Sequence, residues 1–212
     1  MELYGYWRSS AAYRVRIALY LKGLSFQAKS VHLVKDGGQQ YQQEYVNLNP
    51  NQLVPTLIDG DLILNQSIAI IDYLDAQYPQ IPLYPSNVAE KAKVQALSLD
   101  IACEIHPMNN LRVQQYLVNE LAVNDQQKLA WLHHWMVIGF NAVEKTLVKT
   151  SGKYCYADNI TLADICLIPQ VYNALRFKLP MTDYPLISAI VERCNQIEAF
   201  IKALPENQQD AQ

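Results

Sequence analysis

Between Tyr78 and Asn87 the chain reads YPQIPLYPSN, three prolines in ten residues, and the hydrophobic period changes across it. Proline fixes φ and donates no hydrogen bond, so neither a helix nor a central strand runs through such a stretch. It reads as a linker. Upstream, short alternating runs take turns with helical ones. Downstream, from about Val88, only helical patterning is found. The expectation is two domains, an α/β domain over 1–84 and an all-α domain over 85–212. The 212 residues are enough for both to have cores.

The first part is read segment by segment. ELYGY is a short strand. The helix that follows, about Ala11 to Leu24, is apolar on most faces (Val15, Ile17, Ala18, Leu19, Leu21), as in a helix buried between layers. Gly23 is placed to end it. FQAKSVHL alternates like a second strand. The polar, turn-rich VKDGGQQYQQEYVNLNPNQ is a long excursion, and such excursions are often binding loops. LVPTLIDGDLILN reads as a hairpin turning at Asp59-Gly60. QSIAIIDYLDAQYP is a helix with Ile70, Tyr73 and Leu74 on its apolar face. In the second part, helices are expected over 88–119, 125–150, 161–177 and 186–204. The third begins with Thr161-x-x-Asp164, a capping box with aspartate in the usual glutamate position, flanked by Ile160 and Ile165 as a staple. Pro169 should kink that helix.

Bulk properties exclude several functions. Half of the residues are apolar, which describes a folded chain. The net charge of −3 lacks the basic excess of a nucleic-acid binder. MELYGYW has no basic segment followed by an apolar core, so it does not read as a signal peptide. No apolar run approaches the roughly 18 residues of a membrane span. The four cysteines (Cys103, Cys155, Cys166 and Cys194) have neither metal-site nor disulfide spacing. Free thiols in a reducing, cytoplasmic setting are expected. His133 and His134 are adjacent, so on a helix they diverge by about 100° and do not share a metal ion.

The chemistry is concentrated in WRSSAAYRVRIAL, Trp7 to Leu19, where a strand runs into a helix. Unpaired N–H groups and the positive end of the helix dipole meet at this junction. Ser9 and Ser10 read in two ways there. One is an ordinary N-cap. The other is an anion site, where a hydroxyl donates to a negative atom held over the helix start. A thiolate is such an atom. Lowering a thiol pKa from about 8.5 by about two units takes roughly 2.7 kcal/mol. One hydrogen bond to a charged group supplies about 1.5–3 kcal/mol, and the dipole adds a few tenths. No cysteine stands at the junction, so a thiolate used here arrives with a ligand. Pro55, in LVPTL, would present the Val54 backbone to an extended peptide if its bond were cis, although trans is the general default. Ser67, after Gln66 at the next helix start, is either a cap or a carboxylate clamp.

WRSSAAYRVRIALYLKG, HLVKDGGQQY, LNPNQLVPTL, NQSIAIIDYL, IHPMNNLRV and TLADICLIPQVYNALRF follow one another from Trp7 to Phe177. In that order they resemble the zeta class of glutathione transferases. The resemblance implies a thioredoxin-like N-terminal domain, an all-helical C-terminal domain and a homodimer. It also implies glutathione as cofactor and a small dicarboxylic substrate, maleylacetoacetate, isomerised from cis to trans in tyrosine and phenylalanine catabolism. Catalysis would be by reversible addition of the glutathione thiolate to the C=C bond. By motif position, Ser9 matches the thiol-activating serine and Ser10 the second serine. Gln40 matches a loop contact to glutathione, and Val54 supplies main-chain hydrogen bonds ahead of a cis proline. Gln66 and Ser67 match the clamp on the γ-glutamyl end. His106, Asn110 and Arg112 lie where the helical domain closes over glutathione and substrate. Arg176 matches an arginine that binds substrate carboxylate, and Arg8, beside the serines, joins Arg112 as a further candidate. Arg14 and Arg16 read as structural.

Two departures stand out. The common Ser-Ser-Cys motif is here Ser9-Ser10-Ala11, so that cysteine is not a nucleophile in this chain. His106 stands where animal members tend to have glutamine. Other readings remain open: isomerisation of maleylpyruvate by the same chemistry, glutathione transfer to α-halo acids, and a non-catalytic binding protein on the same scaffold.

Overall fold

Strand β1 (Glu2–Gly5) pairs in parallel with β2 (Gln27–Ser30), with Leu3 opposite Ala28. A parallel pair needs a crossover, and α1 (Ser10–Leu21) supplies it. On its other side β1 runs antiparallel to β3 (Thr56–Asp59), which forms a hairpin with β4 (Leu62–Asn65). The sheet order is β2-β1-β3-β4, and α3 (Ser67–Gln77) follows it. This is the expected thioredoxin-like α/β arrangement. The computed structural model describes residues 1–211.

Helix α1 ends on Lys22, and Gly23 follows with φ +65. The Leu24 N–H reaches back to the Leu19 carbonyl at 2.9 Å and the Gly23 N–H to Tyr20 at 3.1 Å, a Schellman closure that favours glycine at the left-handed position. The polar excursion contains two single 3-10 turns, Lys35–Gly37 and Gln39–Tyr41, and a short helix α2 (Gln43–Leu48) that the turn-rich composition hid. In the linker, Lys22 Nζ pairs with Asp75 at 2.8 Å and donates to the Tyr78 and Ile81 carbonyls, while Asp75 accepts from Leu83 N–H.

The second unit holds α4 (Val88–Leu99), α5 (Leu111–Asn119), α6 (Asp125–Thr150), α7 (Leu162–Arg176) and α8 (Pro185–Cys194). The helix expected over 88–119 is interrupted. Asp100–Ile105 is one π-helical segment, His106–Asn109 is a 3-10 turn, and Asn110 caps the restart as α5. Pro107 has no N–H to continue an α-helix, which accounts for the break. Close packing adds to it: α6 passes the π-helical segment at Gly139, where a Cβ would stand 2.2 Å from Ile105 Cγ1. Asp164, fully buried, accepts from Thr161 N–H at 2.8 Å, the Thr161 hydroxyl at 3.1 Å and Cys155 N–H at 2.8 Å. Burial holds its carboxyl above the usual carboxylate range, opposed by those donors.

The domain boundary differs from the sequence expectation. The compact units are Met1–Leu83 with the segment from Asn195 onward, and Tyr84–Cys194. The helix expected over 186–204 is two helices, α8 and α9 (Glu198–Ala203), and α9 belongs to the first unit. The expected domain of 85–212 therefore loses its last segment to the first. The cause is α1: its apolar faces need cover on more than one side, and α9 packs against it with Phe200 fully buried.

Candidate functional site

Ser9 is the N-cap of α1, with extended backbone (φ −70, ψ 117), and its Oγ accepts from Ala12 N–H at 3.2 Å. A hydroxyl has one donor besides its lone pairs. No hydrogen bond among the described residues uses the Ser9 O–H, so capping and donation to an anion are compatible. Ser10 is the first helical residue and is buried. Arg8 is exposed; Nε and Nη2 donate to the Tyr6 hydroxyl at 3.3 and 3.0 Å, and the guanidinium lies 4.8 Å from the Trp7 ring centroid.

The other residues of the first unit expected to contact glutathione lie in the loop after β2 (Gln40), just before β3 (Val54) and at the start of α3 (Gln66 and Ser67). Tyr6, Val31, Tyr45 and Val54 form one apolar cluster, with Trp7 and Leu33 packed against it. The Val54–Pro55 bond is cis, and β3 begins only at Thr56, so Val54 stands outside the ladder. The preceding loop is fastened to its surroundings: the Leu53 carbonyl accepts from the Tyr45 hydroxyl at 2.6 Å and from Asn49 Nδ2 at 2.7 Å. Asn49 Oδ1 in turn accepts from Asn51 N–H and Asn65 Nδ2. Gln40 is buried, its Nε2 donating to Leu33 C=O at 3.3 Å. Its Oε1 is buried and accepts no hydrogen bond among the described residues. Gln66 takes a left-handed backbone (φ 68) immediately before α3, and Ser67 is the first residue of that helix. The buried Arg14 Nη1 donates to Ser67 Oγ at 3.3 Å, joining the two helix starts.

Sequence reasoning set Arg14 and Arg16 aside as structural. Arg14 orients Ser67, and Arg16 orients the serine turn: its Nη2 donates to Trp7 C=O at 2.9 Å and its Nε to Ala203 C=O at 3.2 Å. Both side chains are almost fully buried. Their positions on a helix with no exposed face were the available signal, because a buried guanidinium must meet acceptors.

In the second unit, His106 opens the 3-10 turn, Asn110 caps α5 by accepting from Arg112 N–H at 3.1 Å, and Arg112 is exposed. Arg176, in the last turn of α7, is also exposed, with its guanidinium 4.5 Å from the Phe177 ring centroid. A buried relay of two asparagines links it to the His106–Asn109 turn. Arg176 Nη2 donates to Asn173 Oδ1 (2.9 Å), Asn173 Nδ2 to Asn109 Oδ1 (2.9 Å), and Asn109 Nδ2 to Ile105 C=O (2.8 Å). Each amide is thus oriented by the next. His133 adds a hydrogen bond of 2.8 Å with Phe177 C=O. Among the described residues no cluster of histidine, cysteine or carboxylate side chains could hold a metal ion.

A thioredoxin-like unit whose first helix starts on a serine pair, with a cis proline before β3 and a second helix start on Gln66-Ser67, defines a glutathione transferase. The glutathione S-transferase N-terminal domain model matches residues 1–76. A relative from Vibrio cholerae, described as a probable maleylacetoacetate isomerase, is 53% identical over 99% of this chain and 97% of its own. A solved maleylpyruvate isomerase, described as a bacterial zeta-class glutathione S-transferase, superposes with a TM-score of 0.97 at 40% identity, covering both chains completely. The maleylacetoacetate isomerase of Methylobacterium extorquens, solved with malonate and glutathione bound, gives 0.96 at 33% identity, also over both whole chains. The chain belongs to the zeta-class glutathione transferases, the family of the maleylacetoacetate isomerases.

Proposed function

We propose that the protein is a glutathione-dependent cis–trans isomerase of maleylacetoacetate, producing fumarylacetoacetate. The observation that carries this reading is the Ser9 hydroxyl, which caps α1 through its oxygen and keeps its proton for an anion at the same point. The surrounding groups suit glutathione. Val54 offers a main chain outside the ladder, the buried Gln40 Oε1 awaits a donor, and Ser67, held by Arg14, stands at the start of α3 for a carboxylate. When bound, glutathione supplies the thiolate that adds reversibly to the substrate's C=C bond, so that the bond can rotate before the thiol leaves.

The protein's own residues then have separable tasks. Ser9 donates to the sulfur and, with the α1 dipole, lowers its pKa. Ser10 supports the same turn. Gln40, Val54, Gln66 and Ser67 hold the peptide. Arg176, aimed by Asn173, takes a substrate carboxylate; Arg8 and Arg112 are the further cations for the dicarboxylate, and His106 and Asn110 border that region of the second unit. The protein works as a cytoplasmic homodimer in this reading. Edge strand β4 leaves Leu62 and Ile63 partly exposed, a surface that a second copy can cover.

A second reading, isomerisation of maleylpyruvate, is favoured by the likeness to the solved enzyme of that name. The two substrates differ beyond the reacting bond. Retention on immobilised glutathione, followed by kcat/KM for each substrate, tests both. The proposal expects retention and a higher kcat/KM for maleylacetoacetate. The reverse order assigns the second activity, and no retention with no turnover of either removes the enzymatic reading.

A further inference from the structure

The turn that carries Ser9 is fastened by a residue some two hundred positions away in sequence. Within the turn, Ser9 N–H donates to Tyr6 C=O at 2.9 Å, and Arg16 takes Trp7 C=O. The Trp7 N–H donates to Asp210 Oδ2 at 3.2 Å, and the same oxygen accepts from Ser30 Oγ at 2.9 Å. Trp7 is therefore held between two opposite charges, a guanidinium on its carbonyl and a carboxylate on its N–H.

The sequence after α9 explains how Asp210 gets there. Pro205 follows the helix and cannot continue it. Asn207 Nδ2 donates to Ile201 C=O at 2.7 Å, and Gln208 Nε2 to the Lys202 and Leu204 carbonyls at 2.9 and 2.7 Å, so the chain folds back on the end of α9. Arg16, bonded to Ala203 C=O, fixes that end against α1. Gln208 and Asp210 line a small pocket of about 30 Å³ together with Gly5, Tyr6 and Trp7. The tail packs as part of the platform under the serine turn.

We propose that Asp210 is a positioning residue for Ser9. Its carboxylate holds the Trp7 N–H, fixes the turn, and so sets where the Ser9 hydroxyl stands over the start of α1. The proposal rests on the reading of Ser9 as the thiolate's hydrogen-bond donor. A displacement of a catalytic group by a fraction of an ångström already costs rate, and a hydrogen bond to a carboxylate is among the stronger restraints a turn can have.

The test compares Asp210→Ala, Asp210→Asn, Ser30→Ala and Ser9→Ala in the full chain. The readouts are the pKa of bound glutathione, followed by the ultraviolet absorbance of its thiolate, kcat, KM and melting temperature. Asp210→Ala should raise the thiolate pKa and lower kcat at pH 6, by no more than the roughly 3- to 10-fold that loss of the Ser9 hydroxyl itself costs there, with KM for the dicarboxylate unchanged. Asp210→Asn keeps an acceptor for Trp7 N–H and should recover most of both. Ser30→Ala loses only the Ser30–Asp210 bond, so it should lower melting temperature without moving the thiolate pKa. If Ser9→Ala moves the pKa and Asp210→Ala does not, the proposal is wrong and Asp210 only anchors the tail. If Ser9→Ala itself leaves the pKa in place, the reading of Ser9 fails, and the proposal with it.

Discussion

Replacing Ser9 by alanine removes two interactions that one oxygen and one proton now provide. Loss of the 3.2 Å bond from Ala12 N–H uncaps α1, at about 1 kcal/mol of stability. Loss of the donor to the sulfur removes about 1.5–3 kcal/mol, which raises the thiolate pKa by roughly one to two units. From a wild-type value near roughly 6.5, about two units below a free thiol, the ionised fraction at pH 7 falls by roughly 3- to 25-fold. A less acidic thiolate is intrinsically more nucleophilic, which returns roughly threefold per unit. The net loss of rate at pH 7 is therefore small. At pH 6, where both pKa values lie above the assay pH, the net loss is roughly 3- to 10-fold. The assay is kcat and thiolate absorbance against pH for wild type, Ser9→Ala and Ser9→Asp. Aspartate caps a helix as well as serine does but donates nothing when ionised. Ser9→Asp should keep the melting temperature and still show the displaced profile. Superimposable pH profiles for wild type and Ser9→Ala would refute the reasoning and leave Ser9 as a cap alone.

Arg176→Ala should raise KM for the dicarboxylate by roughly 10- to 150-fold, the loss of one charged hydrogen-bonded pair, with little change in the glutathione dissociation constant measured by calorimetry. Asn173→Ala should raise KM less, and should have no effect on KM in the Arg176→Ala background if its role runs through that arginine; equal effects in both backgrounds would make it a packing residue. Thiol titration with an aromatic disulfide should find one fast group in the native protein, the exposed Cys103, and four after denaturation, because Cys155, Cys166 and Cys194 are buried and burial pushes the Cys155 and Cys194 thiols up. More than one fast native thiol would contradict the packing around α7.

Local signals carried the elements whose cause is local. The hairpin at Asp59-Gly60, the end of α1 at Gly23, the box at Thr161 and Asp164 and the span of α6 all rest on residues within one turn of each other. What escaped sequence reasoning is long-range. Phe200 and Ala203 read as one more apolar helix face, and nothing within 186–204 says that α9 packs on α1 rather than on the helices before it. The π-helical segment depends on how closely Gly139 lets α6 approach Ile105. The places of Ser9 and Gln66-Ser67 at helix starts were legible because strand–helix junctions are written in short motifs, whereas the cis Val54–Pro55 bond was expected only from the family resemblance, the residues alone favouring trans. Arg14, Arg16, Asp210, Asn109 and Asn173 were not, because each acts by touching a residue that is distant in sequence or lies on another element. Asn109 and Asn173, two polar residues in helical runs, become informative only once they are found buried and paired.

The central claim is that glutathione is needed for turnover and is not used up by it. The most direct measurement follows the cis substrate by proton nuclear magnetic resonance at a fixed enzyme concentration, with glutathione varied from none to excess and its own signals integrated throughout. The account predicts no conversion without glutathione, saturable conversion to the trans product with it, and many turnovers per glutathione with the free thiol fully recovered. Conversion at the same rate without glutathione, or loss of one glutathione for each substrate consumed, would contradict it.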